Sequence, residues 1–85
     1  MRKSRKNSVS TAVGRKIKAV RKYHSISGNQ LAQLTGLTQQ QISRYESGKT
    51  SMTIDTIVRI AQALDISVAV LLDDYLTPEY DDTNF

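Results

Sequence analysis

The chain of 85 residues has no cysteine and no tryptophan, and only one histidine and one proline. Without cysteine there can be no disulfide, no thiolate metal site and no thiol nucleophile, and His24 alone cannot form a histidine cluster around a metal. A reducing compartment, the cytoplasm, is the expected setting. Aromatic residues are also scarce: Tyr23, Tyr45, Tyr75, Tyr80 and Phe85 are all there are, so aliphatic side chains must build the core. Long apolar runs are missing too. The longest, residues 66–72, is far below the roughly 20 residues of a membrane-spanning helix, and the basic residues 1–6 lead into no apolar signal segment. Neither a membrane span nor export is expected.

Negative charge is the next absence. Residues 1–45 hold ten Lys or Arg and no acid, whereas residues 50–85 hold seven acids and the single base Arg59. A surface this positive attracts polyanions and gains affinity by displacing counterions from phosphates, which makes nucleic acid the first partner to consider and an anionic membrane the second. Catalysis has little support. Asp73, Asp74, Asp81 and Asp82 fall near the end of the chain, and no Ser/His/Asp set or glycine-rich phosphate loop is present. No enzyme, cofactor or metal is expected.

Three regions follow from composition: a flexible basic arm at 1–8, a folded domain at 9–73 and an acidic tail at 74–85. Within the domain, Val13, Ile17 and Val20 recur at helical spacing on a basic helix spanning about 11–23. Ser27 caps a second helix with Leu31, Ala32 and Leu34 inward, and Gly36 suits a left-handed turn. Thr38 caps a third over 39–47, with Ile42 and Tyr45 as its large apolar residues and Gly48 at its end. Thr53 opens a fourth with Ile54, Ile57, Ile60, Ala61 and Leu64 inward, and Asp65 tolerates positive φ. Ser67 caps a fifth over 68–72, where the β-branched Ile66, Val68 and Val70 would also suit a strand. The expected fold is an all-α, compact bundle of five short helices.

Two short helices joined by Thr35-Gly36-Leu37 and preceded by a basic helix are the parts of a helix-turn-helix, whose second helix enters the DNA major groove. On a helical wheel that sets Gln39 at zero, Ser43 falls at about 40°, Gln40 at about 100° and Arg44 at about 140°, with Tyr45 and Ile42 opposite. These four hydrogen-bonding side chains share one arc without a carboxylate. A glutamine amide can pair with adenine N6 and N7, and a guanidinium with guanine O6 and N7. Thr38 can offer its methyl to a thymine. Glutamines placed for solubility alone are the competing reading.

Residues 13–72 resemble the Cro/cI-type (XRE) helix-turn-helix family of phage repressors and bacterial regulators. The resemblance rests on Val13-Gly14, Ile17 and Arg21, then Ile26-Ser27, Leu31-Ala32 and Gly36-Leu37-Thr38. It continues through Ile42, Ser43, Arg44, Glu46, Gly48-Lys49, Ile57, Ile60, Ala61, Leu64 and Leu72. Thr38-Gln39-Gln40 looks like the start of a lambdoid recognition helix, and QQQISRYE is similar to regulators encoded beside fimbrial operons. The resemblance implies a lambda-repressor-like domain binding double-stranded DNA, with base contacts from Thr38, Gln39, Gln40, Ser43 and Arg44. Phosphate contacts are implied at Arg21, Ser27, Asn29, Gln41, Ser47, Lys49 and Thr50, and an Arg21–Glu46 ion pair between the first and third helices. Gly28 departs from the family, which usually has glutamine there, and residues 49–53 lack the family's proline. A homodimer on a palindromic operator is expected, joined through Val68, Val70, Leu71 and Leu72 unless these only close the core. The acidic tail could bind a protein such as a toxin, which would make the chain an antitoxin.

Overall fold

The structure, a computed structural model, describes residues 5–73. Five helices follow in order: α1 (Arg5–Tyr23), α2 (Gly28–Thr35), α3 (Gln39–Glu46), α4 (Ile54–Ala63) and α5 (Val68–Leu71). The fifth segment is helical, so its strand alternative is not realised. Residues 1–4 of the expected arm and the whole acidic tail lie outside the described residues. One expectation is corrected at the amino end: α1 begins at Arg5 rather than near 11, so residues 5–8 of the expected arm belong to the helix. The stretch contains no Pro or Gly, and Arg and Lys favour helix, so nothing local stops α1 from extending.

Val13 and Ile17 of α1, Leu31 and Ala32 of α2, Ile42 of α3, Ile57, Ile60 and Ala61 of α4, Leu64 and Leu71 form one buried cluster. It is wholly aliphatic, as the scarcity of aromatics requires. Two residues expected inside are outside. Leu34 is 59% exposed and Ile54 67% exposed, while Thr35 is buried. On the α2 wheel Thr35 lies between Leu31 and Ala32, so any face that buries both also buries it. Its hydroxyl is satisfied by the Leu31 and Ala32 carbonyls at 2.8 and 3.1 Å, which removes most of the cost of burying it. Ile54 shares its angle with the α4 core residues but is the first helical residue, one turn beyond Ile57.

The first four helices end alike. A residue at positive φ follows each: Ser25 (60°), Gly36 (77°), Gly48 (78°) and Asp65 (59°). The next N–H then donates back into the helix, from Ile26 to the Arg21 carbonyl, Leu37 to Ala32, Lys49 to Arg44 and Ile66 to Ala61. This is the Schellman closure, in which an apolar residue commonly packs back on the helix it ends. Ile26, Leu37 and Ile66 do so, and each is followed at once by the N-cap of the next helix, Ser27, Thr38 or Ser67. After α3 the equivalent residue is the exposed Lys49, and the next N-cap is delayed to Thr53.

α1 and α3 cross with almost no space between them. A Cβ on Gly14 would lie 2.1 Å from the Tyr45 carbonyl oxygen and 2.9 Å from that of Glu46. Only glycine permits this approach. Gly14→Ala must therefore force the helices apart and is expected to destabilise the fold by about 1–3 kcal/mol. Gly28→Ala, whose new Cβ would meet nothing nearer than Gln39 Nε2 at 3.9 Å, should stay within about 1 kcal/mol of the parent, on the stabilising side. Urea denaturation midpoints of the two variants check the contrast.

Candidate nucleic-acid interface

An isolated helix of eight residues is unstable in water, so α3 depends on caps and docking. Its N-cap, Thr38, accepts from the Gln41 N–H at 3.0 Å, while the Thr38 N–H donates to Gln41 Oε1 at 2.9 Å. Ser27 and Gln30 make the same reciprocal box at the start of α2, at 3.0 and 2.8 Å. The sequence carries this signal as Ser or Thr followed three residues later by Gln. Gln30 and the capping role of Gln41 could have been read from that spacing.

Arg21 then locks α3 to α1. Its Nε donates to Glu46 Oε2 at 2.6 Å and its Nη2 to Glu46 Oε1 at 3.0 Å, while Nη1 donates to the Ile26 carbonyl at 2.9 Å. The two side chains are only 11% and 8% exposed, so this is a bidentate, largely desolvated pair rather than a surface one. The hydrogen bonds donated to Glu46 raise the Arg21 pKa above its ordinary value, with burial opposing and the Glu46 charge assisting. A raised pKa means that the arginine's contribution is complete below its ordinary value and fades only as pH climbs through the folded value. Its titration therefore does not enter the neutral range.

With α3 held this way, Gln39, Gln40, Ser43 and Arg44 are all exposed. No protein group in the described structure takes their side-chain polar atoms, although α2 and α1 lie directly behind them. The expected arc is thus brought together on one outward face, with Thr38 at its start. On its far side Thr38, Gln40, Gln41, Arg44, Tyr45 and Thr50 line an open recess of about 340 Å³. Tyr45 is half-buried, with its ring packed on the core. As a member of this rim it was missed, because a wheel assigns it wholly to the inside.

The expected phosphate contacts fare differently. Arg21 is held from within through Nε, Nη1 and Nη2, which leaves one N–H on each of Nη1 and Nη2 for the expected phosphate contact. Gln41 gives its carbonyl oxygen to the cap, which leaves its amide NH2, the donor a phosphate would take. Ser27 and Asn29 are exposed at the start of α2, with the Ser27 oxygen already accepting from Gln30. After α3, the backbone N–H groups of Ser47, Gly48 and Lys49 donate to the carbonyls of Ser43, Tyr45 and Arg44. The Ser47 hydroxyl donates to the Arg44 carbonyl at 3.1 Å. Of the contacts expected from residues 47–49, only the Lys49 ammonium is left available, with half-exposed Thr50 beside it. At the other end of the domain Leu71 is 1% exposed and closes this chain's own core, so it cannot also face a second subunit.

Residues 17–71 match the model of the HTH_3 helix-turn-helix family. Among curated relatives, antitoxin PezA of Streptococcus pneumoniae is 31% identical over 71 residues, covering 81% of this chain and 45% of PezA. The regulator SinR of Bacillus subtilis is 33% identical over 70 residues, covering 81% of this chain and 63% of SinR. The chain thus spans about half the length of the curated relatives it matches. Among solved structures, the restriction-modification controller protein C.AhdI of Aeromonas hydrophila superposes with a TM-score of 0.71 at 27% identity, covering 73% of this chain and 94% of that one.

Removing the acid from the lock tests its weight. Glu46→Ala leaves a buried guanidinium without its partner and is expected to lower stability by about 2–3 kcal/mol. Glu46→Gln, which keeps one acceptor, should fall between. Thermal and urea denaturation of the three proteins measure the order.

Proposed function

The chain belongs to the HTH_3 helix-turn-helix family, and from that premise we propose that it is a sequence-specific DNA-binding transcription regulator that lays α3 in the major groove. One observation carries the reading. The unpartnered tips of Gln39, Gln40, Ser43 and Arg44 project from a single arc of a helix whose other faces are tied to α1 and α2. Amide, hydroxyl and guanidinium groups are the types that read base edges there. Lys49, Thr50, Ser27 and Asn29 flank the arc where the phosphates of the two strands would run.

The proposed working form is a cytoplasmic homodimer on a palindromic operator, its half-sites about one helical turn, roughly 34 Å, apart. Val70, 39% exposed, with half-buried Val68 and Leu72 beside it, supplies the pairing surface. Repression by covering a promoter is the simplest action of such a domain, and nothing in the reading calls for catalysis. The similarity to antitoxin PezA favours one second reading: an antitoxin that also binds DNA, with residues 74–85 engaging a toxin.

Selection of bound duplexes from a random pool tests the first reading. Repeating the selection with Arg44→Ala or Gln40→Ala should relax preference at one base pair of each half-site, at a cost of about 1–3 kcal/mol there. Uniform weakening across all sequences would make these residues phosphate binders instead. A protein copurifying at fixed stoichiometry, and lost on deletion of 74–85, would point to the second reading.

A further inference from the structure

Beside the base-reading arc a second polar cleft opens, of about 260 Å³, where α1, α2 and α3 meet. Its walls include Lys18 of α1, Gly28 of α2, and Gln39 and Ser43 of α3, with the Arg21–Glu46 pair alongside. Lys18 was not among the residues expected at the interface, because on a wheel it is one more base on a basic helix. The structure gives it a particular place. Thr11, Gly14, Lys18 and Arg21 fall on one stripe of α1, at successive spacings of three, four and three residues. Gly14 and Arg21 touch α3, and Thr11 touches Gly48 in the turn after it. Lys18 sits on that same stripe without such a contact, facing the cleft instead.

The charges of the cleft resolve simply. Arg21 and Glu46 neutralise each other through two hydrogen bonds. Lys18 is exposed and no carboxylate of the described residues pairs with it, so the cleft carries one uncompensated positive charge. Gly28 contributes no side chain, and an added Cβ there would have no neighbour nearer than 3.9 Å. A group from outside can therefore approach the backbone at this point. The neutral Gln39 and Ser43 donors line the opposite wall.

Resting on the DNA-binding reading above, we propose that this cleft seats one phosphodiester of the DNA backbone, held by the Lys18 ammonium. Lys18 thereby binds from α1 next to the bases that Gln39 and Ser43 face. It adds affinity without sequence preference, because the group it meets is the same at every base pair.

The test uses the full chain and the duplex it selects from a random pool, with a scrambled duplex of equal length beside it. Affinities are measured by fluorescence anisotropy across a salt series. Lys18→Gln should weaken both duplexes by the same factor and make the slope of log K against log salt shallower by about 0.9, the signature of one phosphate contact removed. Lys18→Arg should restore both. A Lys18→Gln protein with the parent's slope overturns the phosphate seat while leaving the DNA reading intact. So does one that loses preference at a single base pair. A parent chain that retains no duplex of any sequence at low salt overturns both.

Discussion

The approach of α1 to α3 without a Cβ between them is the constraint from which the interface follows. Gly14 lies over the Tyr45 and Glu46 carbonyls, Gly48 packs on Thr11, and Arg21 grips Glu46. These contacts are spread along one stripe of the longest helix, so they fix both the rotation and the axial position of α3. A helix of eight residues contributes little stability of its own. Its orientation is therefore the orientation that α1 imposes. A rotation of α3 by one residue, about 100°, would in either sense carry two of the four arc residues off the outward face and bring carbonyls and side chains into collision at Gly14.

The linkers do the same for the rest of the bundle. A left-handed residue, an apolar residue and an N-cap follow one another in Ser25-Ile26-Ser27, Gly36-Leu37-Thr38 and Asp65-Ile66-Ser67. Each triplet closes one helix, anchors the turn in the core and starts the next helix within three residues. Such turns leave adjoining helices little freedom of angle. Gly48-Lys49-Thr50 begins the pattern and breaks it, since a lysine stands where the others place an apolar side chain. Anchoring is given up at this one turn, and the charge it releases lies beside the recess under Arg44 and Thr50. The departure coincides with the edge of the proposed DNA surface.

Much of this was legible in the sequence, for identifiable reasons. Helical spacing found Val13, Ile17, Ile57, Ile60 and Leu64, because residues a turn apart on an amphipathic helix share a face whatever they pack against. Ser27, Thr38, Gly36 and Asp65 were legible because caps and left-handed turns are local chemistry. Ile54 was misplaced because a wheel gives an angle but not the position of a neighbouring element along the axis, and Leu34 because it lies about 60° beyond Leu31, on the side away from Ala32. Thr35 was overlooked because a hydroxyl is easily buried once its own helix satisfies it. The positive φ of Ser25 carries no sequence mark comparable to glycine. The roles of Gly14 and Lys18 depend on which helix crosses which.

The position of Glu46 shows how the electrostatics and the packing are reconciled. It is the one acid of residues 1–54, set on the helix proposed to meet a polyanion. Left free there, it would repel phosphate over a distance comparable to the screening length of about 8 Å at physiological salt. Folded against Arg21 in a bidentate pair, it presents almost no net charge outward and serves as a strut between α1 and α3. The arginine is removed from the surface in the same act, so the pair leaves the net charge of the face unchanged while making it rigid. What remains outward on α3 is neutral except for Arg44, with Lys18 and Lys49 placed to either side. Neutral amides and hydroxyls discriminate by geometry, whereas lysines attract any phosphate. The centre of the surface is thereby suited to selecting a sequence and its margins to holding whatever duplex is there, a division that depends on the carboxylate at the middle having already been silenced from within.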